Sequence, residues 1–350
     1  MGIIISILIL SFLIFFHELG HFSIAKLFGV KVEVFSIGFG KKIFKKIHKG
    51  TQYCISAIPL GGYVQMKGQD DSNPTKVNFD ADSYGAKSPW KRIMILLAGP
   101  GANFLLAFVL YVFMANIGVA KLAPIIGKVF PDSAAKQANL QKNDKIIQIN
   151  NKKIQTWGEL RDIIENSGKS LTLTIKRNNR LIKKVIIPKI KETKSIFGDN
   201  VKRKIIGILP NGKIIKVKYS FFGSFRFAYE QIIKASKFII LGIEKMIEGV
   251  VPAKDIGGVI SIVKITSQAA ANGLITLLGL TALISVNLGI LNLFPIPALD
   301  GGHIMFNLYE IFFKKAPSEK ALNRLTYMGW AILLSLMIFS TYNDLIRVFS

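Results

Sequence analysis

Four stretches of this chain, near 2 to 24, 93 to 117, 274 to 297 and 325 to 346, are apolar over the ~20 residues that a helix needs to cross a bilayer. That feature removes most soluble folds. In hydrocarbon every backbone polar group must be satisfied internally, so such segments are helices, and the rest of the chain folds in water or at the interface. Hydrophobic residues make up 50% of the sequence and mean hydropathy is +0.40, but charged residues reach 19%, too many for a chain built only of spans. The expectation is a polytopic α-helical membrane protein of about four transmembrane helices with a folded insert. Its division reads as an N-terminal membrane core over 1–118, a domain over 119–212, a linker over 213–272 with an amphipathic helix, and a C-terminal membrane core over 273–350. The first apolar stretch has no basic segment before it and no small-residue cleavage site ahead of His17, so it reads as a retained span rather than a cleaved signal.

The net charge of +25 suggests a polyanionic partner, yet Lys is scattered through every hydrophilic segment without an aromatic-interleaved patch, and no nucleic-acid partner is expected. Cys54 is the single cysteine, which excludes an intrachain disulfide and a cysteine-rich metal site. Lys41, Lys42, Lys45, Lys46 and Lys49 follow the first span, and Lys314, Lys315, Lys320 and Arg324 follow the third; both loops are therefore expected on the cytoplasmic side. The long stretch from about 120 to 272 is then extracytoplasmic, since long domains translocate largely regardless of charge.

Within the first span lies His17-Glu18-Leu19-Gly20-His21. On a helix the two imidazoles share one face four residues apart and can bind one ion, with Glu18 beside the metal-bound water. Zn²⁺ lowers the pKa of such a water towards about 7, and a neighbouring carboxylate takes its proton and passes it to a leaving amine. The pattern alone recurs by chance, and a buried histidine is often only a hydrogen-bonded core residue. Its place in a membrane span favours function, because titratable groups there are costly.

The third apolar stretch ends in Asn292-Leu293-Phe294-Pro295-Ile296-Pro297-Ala298-Leu299-Asp300-Gly301-Gly302. Two prolines at alternate positions stop a helix, and irregular backbone at membrane depth persists only where protein or a water-filled cavity lines it. Asp300 is either a plain interfacial loop aspartate or, beside the His-Glu pattern, the third zinc ligand.

Together these motifs resemble the site-2 protease family of intramembrane zinc metalloproteases, and within it the bacterial regulator-of-sigma-E branch. The likeness extends to Ala98-Gly99-Pro100-Gly101-Ala102-Asn103, to Ile58-Pro59-Leu60-Gly61-Gly62-Tyr63-Val64 and to Leu283-Ile284-Ser285-Val286-Asn287-Leu288-Gly289. It implies that His17, His21 and Asp300 bind one zinc ion per chain, that Glu18 is the catalytic base, and that Asn292 holds or polarises the substrate. His303 is left out, because a fourth protein ligand would fill the position that water needs. Asn103 reads either as part of the site or as helix packing beside Gly99 and Gly101.

Residues 34 to 67 alternate β-like runs with glycine; the resemblance implies a membrane-associated β-hairpin whose edge pairs with an unwound substrate, with Gly61, Gly62 and Tyr63 in contact. Read without it, the same segment is a cytoplasmic turn cluster. Between 120 and 210, Leu171, Leu173 and Ile175 alternate with polar residues, Asn178-Asn179 supplies a turn, and Leu181 to Ile187 returns as a partner strand. Thr156 caps a helix from Trp157 to Glu165, with Glu159 completing a capping box. The run from Ser133 through Leu140, Asp144 and Asn150 resembles one permuted PDZ domain, with Asn139 and Asn143 where glycine is common. Its expected role is docking or size filtering. Residues 219 to 248 read as a surface-lying helix or as a helix packed on that domain.

The implied activity is zinc-dependent cleavage of single-span membrane proteins, either anti-sigma-factor-like regulators already trimmed by a site-1-type protease or remnant signal peptides. The implied location is the bacterial inner membrane, in contact with lipid. The rival reading is a non-catalytic membrane adaptor with a structural zinc; Glu18 argues against it, because a structural site needs no base.

Overall fold

A computed structural model describes residues 2–69, 78 and 80–349. In chain order the elements are α1 (Gly2–Leu27), β1 (Val32–His48), β2 (Thr51–Met66), α2 (Pro89–Ile117), β3 (Val119–Leu122), β4 (Ile126–Val129), α3 (Ala134–Gln137), β5 (Lys145–Ile149), β6 (Lys152–Lys153) and α4 (Trp157–Glu165). There follow β7 (Leu171–Arg177), β8 (Arg180–Ile186), β9 (Lys189–Lys194), β10 (Asn200–Ile205), β11 (Ile208–Pro210), β12 (Ile214–Val217), α5 (Phe221–Ile247), α6 (Val259–Ala271), α7 (Leu274–Asn292), α8 (Asp300–Phe313) and α9 (Glu319–Phe349). Two compact units result. The first takes the chain through Met114, Phe221–Ile243 and the stretch from Pro252 onward; the second takes Ala115–Ser220 and Glu244–Val251.

In the first unit, α1, α2, α7 and α9 are the helices among the described residues that are long and apolar enough to cross a membrane. The third of them stops at Asn292, short of the 297 read from hydropathy, because Pro295 and Pro297 lack the N–H groups that a continuing helix would use. The chain then crosses to α8 through residues 293–299. Gly301 and Gly302 open α8, and a Cβ on either would lie 2.3 Å from a carbonyl oxygen of that crossing, on Phe294 and Ile296 respectively. Only glycine lets the loop fold back onto the helix start, which is how Asp300 comes to head α8.

The segment after α1 is more folded than a simple hairpin. Around the Lys49-Gly50 turn, Lys42 to His48 pair with Ser56 to Thr51; β1 then bends at Gly38 and Gly40, both at positive φ. Its first part lies between two stretches of β2, with Val34 to Ile37 facing Gln52 to Ile55 on one side and Gln65 to Gly62 on the other. No other strand among the described residues pairs with the outer stretch, 62–66.

Polar residues at the end of α9 hold the connection into α6. Asn343 Nδ2 donates to the Ala253 and Ile256 carbonyls at 3.1 and 3.3 Å, Arg347 donates to the Lys254 carbonyl, and buried Asp344 accepts from the Ser261 backbone N–H at 3.0 Å and from its hydroxyl.

The second unit is built on a sheet of order β6-β5-β7-β8, with β11 paired to β4, β12 to β3, and β10 to β9. Its core is aliphatic: Ile126, Ile146, Ile149, Leu173 and Ile175 are fully buried beneath α4 and the sheet. Asn178 and Asn179, at φ 48° and 67°, make the β7–β8 turn, and Asn139 and Asn143 adopt φ 53° and 70°, a region asparagine enters more readily than most residues. Thr156 caps α4 by accepting from the Glu159 N–H, but the Glu159 carboxylate reaches Gln155 N at 3.0 Å, one residue before the capping-box position. Fully buried Asp144 accepts from Arg177 Nε and Nη2, both at 2.7 Å, and from Gln141 N at 2.8 Å. The pairing with Asp144 raises the pKa of the Arg177 guanidinium.

Candidate metal centre

The ligand triangle is assembled by two elements of the first unit, α1 and α8. On α1, His17 and His21 stand one turn apart and bring their Nε2 atoms to 3.2 Å from each other. Asp300, at the start of α8, places Oδ2 3.3 Å from His17 Nε2 and 3.5 Å from His21 Nε2. Tetrahedral ligands about 2.0–2.1 Å from an ion stand about 3.3 Å apart, so these edges have the size of a zinc site. These three residues form the one group of potential metal ligands of its kind among the described residues. Asp300 Oδ2 is buried without a hydrogen-bond partner, a condition that a coordinated cation relieves. Two neutral imidazoles and a carboxylate are a hard-to-borderline donor set that suits Zn²⁺ and leaves a fourth position for water.

α2 supports the ligands. Ile95, Gly99 and Asn103 recur every four residues along one of its faces. The Ile95 carbonyl oxygen lies 2.8 Å from His21 Nδ1, and Asn103 Nδ2 lies 3.2 Å from His17 Nδ1. A Cβ on Gly99 would fall 2.2 Å from His21 Nε2 and 2.8 Å from His17 Cε1, so the rings fit only against bare backbone. Gly101, two residues on, has nothing within 4 Å of where a Cβ would stand and is not part of this contact. Asn103 is fully buried, and its own carbonyl accepts from Ser285 Oγ of α7 at 2.7 Å. Neither Gly99 nor Asn103 stands out by spacing; their signal was an asparagine and small residues inside an apolar span, a pattern equally typical of helix packing.

The remaining residues singled out from the sequence also converge. Asn292 Nδ2, at the end of α7, is 3.3 Å from His17 Nε2. Glu18 follows His17 on α1, half-buried, and the outer stretch of β2 passes over it: a Cβ on Gly62 would be 3.2 Å from Glu18 Cγ. Gly61 faces the Phe39 ring, on which Tyr63 stacks at 6.2 Å with an interplanar angle of 5°. Tyr63 and Gly61 therefore shape the strand next to Glu18 rather than reach the ligand triangle. His303 joins Gln69, Leu96, Thr326 and Trp330 around a cavity of about 160 Å³ that Asp300 also lines, and is not one of the three clustered ligands.

Comparison with known proteins agrees with this chemistry. The model of peptidase family M50 matches residues 5–336. A relative in Campylobacter jejuni, named as an inferred zinc metalloprotease, is 50% identical over 98% of this chain and 93% of its own length. One of the same description in Helicobacter pylori is 41% identical over 99% of both chains, and one in Rickettsia conorii is 39% identical over the full length of both.

Proposed function

Because the chain belongs to peptidase family M50, the site-2 protease family, and is a multi-pass zinc metalloprotease, we propose that it hydrolyses peptide bonds within the membrane, in the transmembrane segments of single-span proteins. The observation that carries this reading is the His17–His21–Asp300 triangle, with both histidines and Glu18 on a helix apolar enough to cross a membrane.

A zinc ion held by His17, His21 and Asp300 would supply a Lewis acid for the water and the scissile carbonyl. Glu18 takes the proton from the attacking water and returns it to the leaving amide nitrogen, which lets a poor leaving group depart as an amine. The Asn292 amide, directed at the same side of His17, donates to the substrate carbonyl oxygen as charge develops on it. A helical substrate hides its amides in its own hydrogen bonds, so it must unwind locally. The free edge of β2 at Gly62 to Met66 offers replacement backbone partners next to Glu18, and the glycines there let the substrate approach.

The second unit we take to be a PDZ-like docking or size-filtering module on the extracytoplasmic side. The positive-φ asparagines and a groove of about 550 Å³ between α4, with Trp157, Leu160 and Ile164, and the segment Lys204 to Ile208 support that view. The substrates that suit this arrangement are anti-sigma-factor-like regulators after trimming by an upstream site-1-type protease, or remnant signal peptides, in a bacterial inner membrane with the site near its cytoplasmic side.

The test is cleavage of a tagged single-span reporter in membranes by the natural chain and by Glu18→Gln, with zinc measured on both. The variant is expected to keep its zinc and lose about 10²- to 10⁴-fold in rate, the share of a positioned base. If both hold zinc and neither cuts any of a panel of spans, the adaptor reading replaces this one.

A further inference from the structure

We propose that Asn103 is a positioning residue for the metal site: its amide oxygen accepts the His17 Nδ1 proton and fixes the tautomer in which Nε2 is free to bind zinc. The inference rests on the reading of His17, His21 and Asp300 as the ligands. A neutral imidazole carries one proton, so a ring that ligates through Nε2 must hold it on Nδ1, and that N–H then needs an acceptor.

The two histidines solve this differently. His21 has the backbone carbonyl of Ile95, 2.8 Å from its Nδ1. For His17, the group facing Nδ1 is the Asn103 amide, at 3.2 Å, and Asn103 Oδ1 is itself buried without a partner. An amide turned by 180° exchanges its oxygen and nitrogen at nearly unchanged shape. With Nδ2 towards the ring, Nδ1 would have to accept, the proton would sit on Nε2, and His17 could not ligate. With Oδ1 towards the ring, the Nδ1 proton is accepted and the Nε2 lone pair points at Asp300 and His21. Only the second setting is compatible with His17 as a ligand through Nε2.

The location suits the role. Ile95 and Asn103, eight residues apart on one face of α2, reach His21 and His17 of α1 from either side of Gly99, whose bare backbone makes room for both rings. The Asn103 backbone is fixed in turn by Ser285 of α7 at 2.7 Å, the helix that ends in Asn292. Through its side chain and its backbone carbonyl, Asn103 thus ties the orientation of a ligand on α1 to α2 and α7.

The experiment uses the full chain in detergent or nanodiscs and measures zinc affinity by chelator competition, alongside the electronic spectrum of the cobalt-loaded protein. Asn103→Leu, of similar volume but without an acceptor, is expected to bind zinc 10- to 100-fold more weakly and to alter the cobalt bands. Asn103→Asp, which keeps an acceptor, should retain both within a few fold. A pure packing role would instead leave the Leu variant's zinc affinity at the natural level. Where the Leu variant does not fold, ¹⁵N-histidine spectra of the zinc-free natural chain decide: His17 protonated on Nδ1 supports the inference, and protonated on Nε2 overturns it. Loss of zinc from Asp300→Ala but not from folded Asn103→Leu overturns this inference alone, whereas retention in both overturns the ligand assignment beneath it.

Discussion

The two units treat buried polar groups in opposite ways. In the second unit the one fully buried charge, Asp144, is closed on every side by Arg177 and Gln141 around an aliphatic core. In the first unit Asn103, Asp300, Asn307, Thr266 and Thr326 each bury a side-chain atom without a hydrogen-bond partner, and none of that kind occurs among the described residues of the second. An unsatisfied buried polar atom costs about 1–3 kcal/mol, so such atoms persist where something outside the protein chain completes them or where function offsets the cost. Two of the five, on Asn103 and Asp300, belong to the metal centre or touch it. The second unit closes its buried charge with partners from its own chain; the first leaves open atoms that an ion, a water or a peptide can complete.

That contrast can be broken most forcefully at Gly99. Gly99→Val places a side chain where the His21 ring already stands, so zinc and proteolysis should both be lost, while Gly101→Ala, two residues on with open space, should leave both near natural levels. Equal behaviour of the two variants, measured by metal content and reporter cleavage, would refute the idea that bare backbone at Gly99 seats the histidines. Next in size is Arg177→Leu, which leaves the fully buried Asp144 carboxylate without its charged partner. The second unit should lose about 3–5 kcal/mol, read by denaturant unfolding or hydrogen exchange of the full chain, with zinc in the first unit retained. Coupled loss of zinc would mean that the units do not hold their polar groups independently. The smallest effect belongs to Thr156→Ala, which removes the α4 cap and should lower the stability of the second unit by about 1 kcal/mol without touching metal binding or cleavage by the membrane core.

Much of this was legible in the residues because it depends on local rules. Apolar length marks a span whatever its neighbours are, and His17 and His21 share a face on any helix. Asn178-Asn179 makes a turn because asparagine tolerates positive φ. Where local rules met long-range geometry, sequence reading fell short. The segment 34–67 read as a simple alternation of runs and glycines, but the bend at Gly38 and Gly40 folds β1 between two parts of β2, a pairing set by contacts rather than propensity. Glu159 has the capping-box spacing, yet its carboxylate bonds to Gln155, because a long side chain chooses among nearby donors by packing. Nothing in the local pattern at the end of α9 marks Asn343, Asp344 and Arg347 as partners of the backbone entering α6, 80 or more residues earlier in the chain.

By itself, then, the sequence determined which segments are apolar enough to span, that a helix cannot run on through Pro295 and Pro297, and which residue types could bind zinc and move a proton. Only the tertiary structure decided that Asp300, 279 residues after His21, completes the triangle with edges of 3.2 to 3.5 Å, that Gly99 and Asn103 seat the rings, and that a strand edge passes over Glu18. The physical reason is range. Hydropathy and helical periodicity act within a few turns of chain, whereas ligand distances are set by how closely separate helices pack, and that closeness depends on side chains that are absent, at Gly99, Gly301 and Gly302, as much as on those that are present.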